Sequence, residues 1–172
     1  MPVSDLHTIP NGADVFIDSN IFIYALNGGS AQCLTLLQRV SNEEVTGITS
    51  YHVVGEVTHR LMMAECVAAG GPPKGTQNYL KNHSEIVKGL SHYWEGAEKV
   101  LAMNLLFLPI DEGIIKMAQP IRQQVGLLNN DSLIVACMKY LGLTFIASND
   151  EDFVSVGGFS VFKPTDVPPV IV

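Results

Sequence analysis

Val15-Phe16-Ile17-Asp18-Ser19-Asn20-Ile21-Phe22 decides the reading of this chain, because an aspartate stands between two apolar runs. Val15 to Ile17 has the β-branched and aromatic character of a short buried strand. Ile21 to Leu26 begins a second apolar segment just beyond it. Asp18 therefore falls at the carboxyl end of a strand, where open α/β sheets bind their ligands. Asp150 repeats the arrangement, following the apolar run Leu143 to Ala147 within Ser148-Asn149-Asp150-Glu151-Asp152-Phe153. Asp131 opens another apolar run in Asn129-Asn130-Asp131-Ser132-Leu133-Ile134-Val135, and Glu56 interrupts Gly55-Glu56-Val57. A carboxylate taken out of water without compensation costs on the order of several kcal/mol or more. One divalent cation would compensate several of them at once.

Working outward, the pattern predicts a strand over Asp14 to Asp18 and helices over Ser19 to Leu26 and Ser30 to Arg39. A strand near Val45 to Ile48 leads into a long helix, Tyr51 to Ala68. On that helix Val53, Val57, Leu61 and Ala64 make the core stripe and Glu56 lies at its edge, within reach of a cleft. Asp131 shares an inward-leaning face with Ile134, Val135 and Met138. Gly70-Gly71-Pro72-Pro73-Lys74-Gly75 is the strongest breaker in the chain. After it come one or two helices over Thr76 to Met103, a strand over Leu105 to Ile110, and helices over Glu112 to Val125 and Asn130 to Leu141. Pro120 is expected to kink or split the first of these. A strand at Leu143 to Ala147, an edge strand at Phe159 to Phe162 and a proline-rich tail complete the chain. Strands alternating with helices predict an α/β fold, a three-layer α/β/α sandwich around a mainly parallel sheet.

Composition narrows the classes. With 172 residues, 47% hydrophobic and 16% charged, the chain is long enough for one well-buried domain and too apolar for disorder. A net charge of -7 argues against coating nucleic acid through a broad basic face, so any polynucleotide contact must be local. Cys33, Cys66 and Cys137 are odd in number and set in apolar patterns without zinc spacing, as in a reduced cytosolic protein. Met1 to Gly12 lacks the basic start and apolar core of a signal peptide. No apolar run approaches the roughly 20 residues of a membrane span. A soluble, cytoplasmic protein without membrane contact is expected.

The motifs Ile17-Asp18-Ser19-Asn20 after a strand, Gly55-Glu56-Val57 within a helix, Asn130-Asp131-Ser132-Leu133-Ile134-Val135-Ala136, and Ser148-Asn149-Asp150-Glu151-Asp152-Phe153 resemble, in order and spacing, those of the PIN domain. Within that family the chain is most similar to VapC-type toxin ribonucleases of type II toxin-antitoxin systems. The resemblance runs from about Val15 to Pro164. It implies a PIN-like nuclease domain over 13–164, with an N-terminal extension (1–12), a helical insertion near 68–94 and a C-terminal tail (165–172). It also implies that Asp18, Glu56, Asp131 and Asp150 form a catalytic acidic quartet binding Mg2+ or Mn2+. Asp18, Asp131 and Asp150 would be metal ligands, with Asp152 as an alternate or outer one, and Ser19, Asn20 and Ser148 would orient the site. The implied partners are an RNA substrate, a small antitoxin whose Arg- or Lys-bearing segment enters the acidic cleft, and a second copy of the chain. That antitoxin would dock in a groove of Ile21 to Leu37 with Tyr51 to Ala68, and the homodimer would use other helices, including Thr76 to Trp94.

The chemistry follows from the residue types. Magnesium favours hard oxygen ligands and keeps several waters, so converging carboxylates suit one or two ions that activate water against phosphorus. Few basic residues accompany them; Lys81 and Lys88, spaced i+7 on one expected helix, and Lys74 could touch phosphates or simply be solvated. Singly, each acid has a plainer explanation. Asp18 and Asp131 suit helix N-caps, Glu56 could pair with Arg60 at i+4, and Asp150 with Asp152 could form an Asx turn. His52, Glu56 and His59 share a helical stripe without zinc-protease spacing. Asp18 after a strand also resembles haloacid dehalogenase-like phosphohydrolases, but Asn20 stands where that pattern needs a second aspartate. A housekeeping PIN ribonuclease without a toxin role, and a non-catalytic PIN module binding RNA or protein, are the remaining alternatives.

Overall fold

The computed structural model describes residues 3–167. Six strands, β1 (Val3–Asp5), β2 (Asp14–Ile17), β3 (Thr46–Ser50), β4 (Leu105–Leu108), β5 (Phe145–Ala147) and β6 (Ser160–Lys163), form one sheet in the order β1-β6-β5-β2-β3-β4. Every pairing is parallel. Eight helices connect them among the described residues: α1 (Ser19–Leu26), α2 (Ala31–Ser41), α3 (Tyr51–Ala68), α4 (Thr76–Asn82), α5 (Ser84–Gly89), α6 (His92–Leu101), α7 (Glu112–Val125) and α8 (Asn129–Leu141).

The layers follow from the strand order. From β2 the chain moves outward to β3 and β4, then returns past β2 to β5 and β6. Because parallel crossovers are right-handed, the two directions put their helices on opposite faces. Contacts agree: α1 packs on α2 and α3, and α3 on α6, whereas α7 packs on α8. Sandwiched strands read as continuous apolar runs, and Val15, Phe16, Ile17 and Ile146 are fully buried. The change of direction lies between β2 and β5. Asp18 and Ser148 leave the sheet there side by side.

α6 approaches α3 closely at Gly96. A Cβ there would stand 2.6 Å from Leu61 Cδ1, so any larger residue would require the Leu61 side chain to shift.

Several expectations need correction. The strand near Phe159 to Phe162 is not an edge: β6 lies between β5 and β1. It is covered because part of the segment assigned to an N-terminal extension, Val3–Asp5, pairs with it, while Leu6 and Ile9 enter the core. Pro120 does not split α7, which runs through it; Lys116, whose carbonyl loses its partner, is exposed, so water can satisfy it. Thr76 to Met103 forms three helices rather than one or two, and Lys81 and Lys88 lie on different ones, so they share no i+7 face. Of the tail, Thr165 and Asp166 are tied to α2: Thr165 N–H donates to Gln32 Oε1 at 2.7 Å, and Asp166 accepts from Ser30 Oγ and Gln32 N–H. Met1, Pro2 and 168–172 lie outside the described residues.

Candidate active site

Asp18 is positioned by the sheet. Its N–H donates to the Ala147 carbonyl at 3.1 Å, extending the β2–β5 ladder by one residue. Its carboxylate then turns to cap α1, Oδ1 accepting from Ser19 N–H at 2.6 Å. Oδ2 accepts from Ser148 Oγ and from Asn20 Nδ2, both at 2.6 Å. Ser148 Oγ is fully used, since it also accepts from Asn20 Nδ2 at 3.1 Å and from Asp150 N–H at 3.0 Å. The orientation of Asn20 is set by the Asn149 N–H, which donates to its Oδ1 at 3.0 Å and leaves the amide nitrogen facing the carboxylate. Asp150 Oδ1 in turn accepts from Asp152 N–H at 2.9 Å, an Asx turn.

The other two acids come from helices. Glu56 lies on α3, one turn before Arg60; its Oε1 is 3.8 Å from the Arg60 guanidinium and its Oε2 accepts from Asn130 Nδ2 at 3.4 Å. His52 Nε2 approaches Asn130 Oδ1 at 3.1 Å, so α3 and the start of α8 are linked through Asn130. Arg122 braces the same turn of α8 by donating to Asn129 Oδ1 at 3.0 Å and Ser132 Oγ at 3.1 Å. Asp131 is not the cap of α8. It is the third helical residue, and the N-cap position is held by Leu128, which has no side-chain bond to offer.

These elements enclose a cleft of about 470 Å3, lined by Asp18, Ser19, Asn20, Glu56, Asp131 and Asp150 together with Arg60, Leu128, Asn129 and Asn130. Of the residues singled out in the sequence, Ser148 is buried beneath the lining and Asp152 is exposed outside it. Sequence reasoning did not reach Asn130, Asn129 or Leu128 as lining residues, and treated Arg60 only as a partner for Glu56. The Asn129-Asn130 pair before the acid was the available signal.

The electrostatics are unfavourable as they stand. Burial pushes the Asp18 carboxyl above its usual range, and Glu56 and Asp150 add to this against the hydrogen bonds from Ser148 and Ser19. Asp131 is pushed up to about 6, first by burial and then by Asp150, Asp18, Asp152 and Glu56. Such a cluster attracts cations, and its donors are carboxylate oxygens, the hard ligands that magnesium and manganese accept. Among the described residues no three of these side chains stand close enough to enclose an ion by themselves. The His52-Glu56-His59 stripe is no exception: His52 is turned to Asn130 and His59 is exposed.

The fold and cleft together define a class: a doubly wound parallel α/β protein with an acidic site at its topological switch point. The PIN domain profile matches residues 15–158, and the chain belongs to the PIN domain family. It is 30% identical over 152 residues to the ribonuclease VapC2 of Methanocaldococcus jannaschii, covering 87% of this chain and 93% of the relative. It is 25% identical over 156 residues to ribonuclease VapC6 of the same organism, covering 88% and 97%. Among solved structures, a toxin-antitoxin complex from Klebsiella pneumoniae superposes with a TM-score of 0.58 at 18% identity, over 89% of this chain and 99% of that one. At that identity the likeness speaks for the fold. No helix of the described residues is long and apolar enough to cross a membrane.

Proposed function

We propose that this chain is a VapC-like toxin, an endoribonuclease that hydrolyses RNA phosphodiesters with Mg2+ or Mn2+ at the acidic cleft. The observation that carries the reading is the convergence of Asp18, Glu56, Asp131 and Asp150, from four separate parts of the chain, on one water-accessible cleft. The two relatives named as VapC ribonucleases support the reaction class.

Asp18, Asp131 and Asp150 would hold the ion, with Asp152 as an outer carboxylate. When bound, the ion would supply an activated water for in-line attack and charge stabilisation at phosphorus. The chain's own residues fix the geometry. Ser148 and Asn20 hold Asp18 through Oδ2, and Ser19 holds Oδ1, so the carboxylate presents one orientation to the cleft. Ser148 also positions the Asp150 main chain. Glu56, which lines the cleft and accepts from Asn130, would take the proton of an entering water. No side-chain nucleophile is required.

As a toxin the protein would act in the cytoplasm, form a homodimer and be silenced by a small antitoxin. The Klebsiella neighbour, a toxin-antitoxin complex, supports that partner, and the net charge of -7 favours a cationic segment in the cleft. The experiment has two arms. Purified wild-type protein is expected to cleave RNA with manganese or magnesium, and Asp18→Asn to lose that activity while remaining folded; near-normal cleavage by both Asp18→Asn and Asp131→Asn would reject the site. Expression of the wild type alone should arrest growth, with relief by the adjacent antitoxin gene. Harmless expression of a protein that does cleave RNA would leave a housekeeping PIN ribonuclease.

A further inference from the structure

Arg60 is the lining residue that has so far been given no task. Among the described residues lining the cleft it is the only cation, facing Asp18, Glu56, Asp131 and Asp150. A guanidinium in such company normally makes a close, two-pronged pair with a carboxylate. Here its Nη1 stays 3.8 Å from Glu56 Oε1, and its side chain is 54% exposed. An exposed pair one helical turn apart is a weak restraint. Glu56 does not depend on it, because its other oxygen is steadied by Asn130, which His52 engages in turn. Arg60 is thus kept beside the carboxylates without being committed to them.

We propose that Arg60 is the phosphate-holding residue of this cleft, leaving Glu56 when a nucleic-acid backbone enters and taking two phosphate oxygens with its guanidinium fork. The identity of the polymer rests on the ribonuclease reading; the identity of the residue rests on the geometry. A polyanion approaching a protein of net charge -7 needs a cation at the mouth of an acidic cleft, and a metal ion held among the carboxylates does not supply one at the rim. Arginine matches phosphate through paired N–H donors, which lysine cannot reproduce. In the empty cleft the same guanidinium partly neutralises Glu56 and so competes with an entering cation. Removing it should therefore weaken RNA binding and strengthen metal binding, effects of opposite sign that a merely supportive role would not produce.

The test uses Arg60→Gln and Arg60→Lys in two settings. In an Asp18→Asn background with manganese, binding of a short fluorescein-labelled single-stranded RNA of mixed sequence is followed by anisotropy. Arg60→Gln should weaken binding about tenfold, the scale of a charged hydrogen bond. It should also flatten the slope of log Kd against log salt by about 0.7, one phosphate contact on a single strand. Arg60→Lys should restore the slope but not the full affinity. In the otherwise wild-type protein, the rise in Tm produced by manganese should be larger for Arg60→Gln and unchanged for Arg60→Lys. Unweakened RNA binding by Arg60→Gln, or a smaller manganese response in it, would overturn the proposal while wild-type cleavage of RNA still stood. If the wild type cleaves no RNA and the Asp18→Asn protein binds none, the ribonuclease reading itself falls and takes this role with it.

Discussion

Two sets of carboxylates in this molecule have the same chemistry and opposite surroundings. Glu65, on α3, accepts from three consecutive main-chain N–H groups at the start of α6: Ser91 at 2.9 Å, His92 at 3.1 Å and Tyr93 at 2.8 Å. Asp166 likewise accepts from Ser30 and from the first turn of α2. Burial would raise both, but these donors outweigh it and hold both below the usual carboxylate range. Asp18 and Asp131 are instead raised, by burial first and by neighbouring carboxylates after it. In the first set the chain brings its own donors to each acid and thereby joins two elements. In the second it brings acids to one another, the donors it offers Asp18 do not outweigh burial, and charge is left for something outside the chain to meet. On the proposed function, that difference separates structural from functional carboxylates, and substitutions should separate them too.

The largest effect is expected from exchanging treatments between the two sets. Asp131→Asn should lower metal-dependent RNA cleavage on the order of 10²-fold or more, the scale of losing one electrostatic stabiliser. It should also raise the Tm of the metal-free protein by relieving repulsion. Glu65→Ala should do the reverse, leaving cleavage rates intact in the folded enzyme. Steady-state rates and thermal melts on the same preparations check both.

Next in size is Ser148→Ala. The hydroxyl does not itself line the cleft, yet it donates to Asp18 and accepts from the Asp150 N–H. Its loss should reduce cleavage about tenfold, in the range for groups that orient metal ligands. It should also move the pH at which activity appears upward, because the hydrogen bond that opposes the raised Asp18 pKa is gone. A pH–rate profile distinguishes this from simple unfolding. Smaller still, Glu65→Ala should cost roughly 1 kcal/mol of stability, comparable with losing a helix cap, measured by denaturant unfolding.

Much of this contrast was written in the sequence, and the reason it was readable is local. Asp18 after Val15-Phe16-Ile17 and Asp150 after the β5 run announce themselves because a short strand and the residue behind it are adjacent in the chain. The plainer readings of the same residues also materialise: Asp18 caps α1, Glu56 stands near Arg60, and Asp150 closes an Asx turn. A carboxylate can do both, so a local explanation does not exclude a distant one. What could not be read is what depends on pairing across the chain. Val3-Ser4-Asp5 is too short and polar to announce a strand, and without it β6 looks like an edge. The Asn20–Asn149 bond joins residues 129 positions apart, which no local signal reveals, and Arg122 bracing Asn129 is equally silent. The insertion resolved into three helices because His83 and Leu90-Ser91 interrupt it, positions that no proline or glycine pair marked.

The most direct test of the central claim is the pH dependence of stability, with and without manganese. With their pKa values raised, Asp18 and Asp131 bind protons in the folded state that the unfolded chain has already released, between about pH 4, the ordinary aspartate value, and about 6 for Asp131. The metal-free protein should therefore lose stability as pH rises through that window and not regain it above. Glu65 and Asp166 act with the other sign, their contribution vanishing only as pH falls below the ordinary carboxylate range. Millimolar manganese should raise the Tm mainly at the upper end of the window, because it binds the ionised cluster of the folded state alone. Asp131→Asn should flatten the metal-free slope and blunt the manganese response together. Equal melting temperatures across the window, unchanged by manganese and by Asp131→Asn, would contradict the account and leave Asp18 as an ordinary helix cap and Asp131 as an ordinary acid in the first turn of a helix.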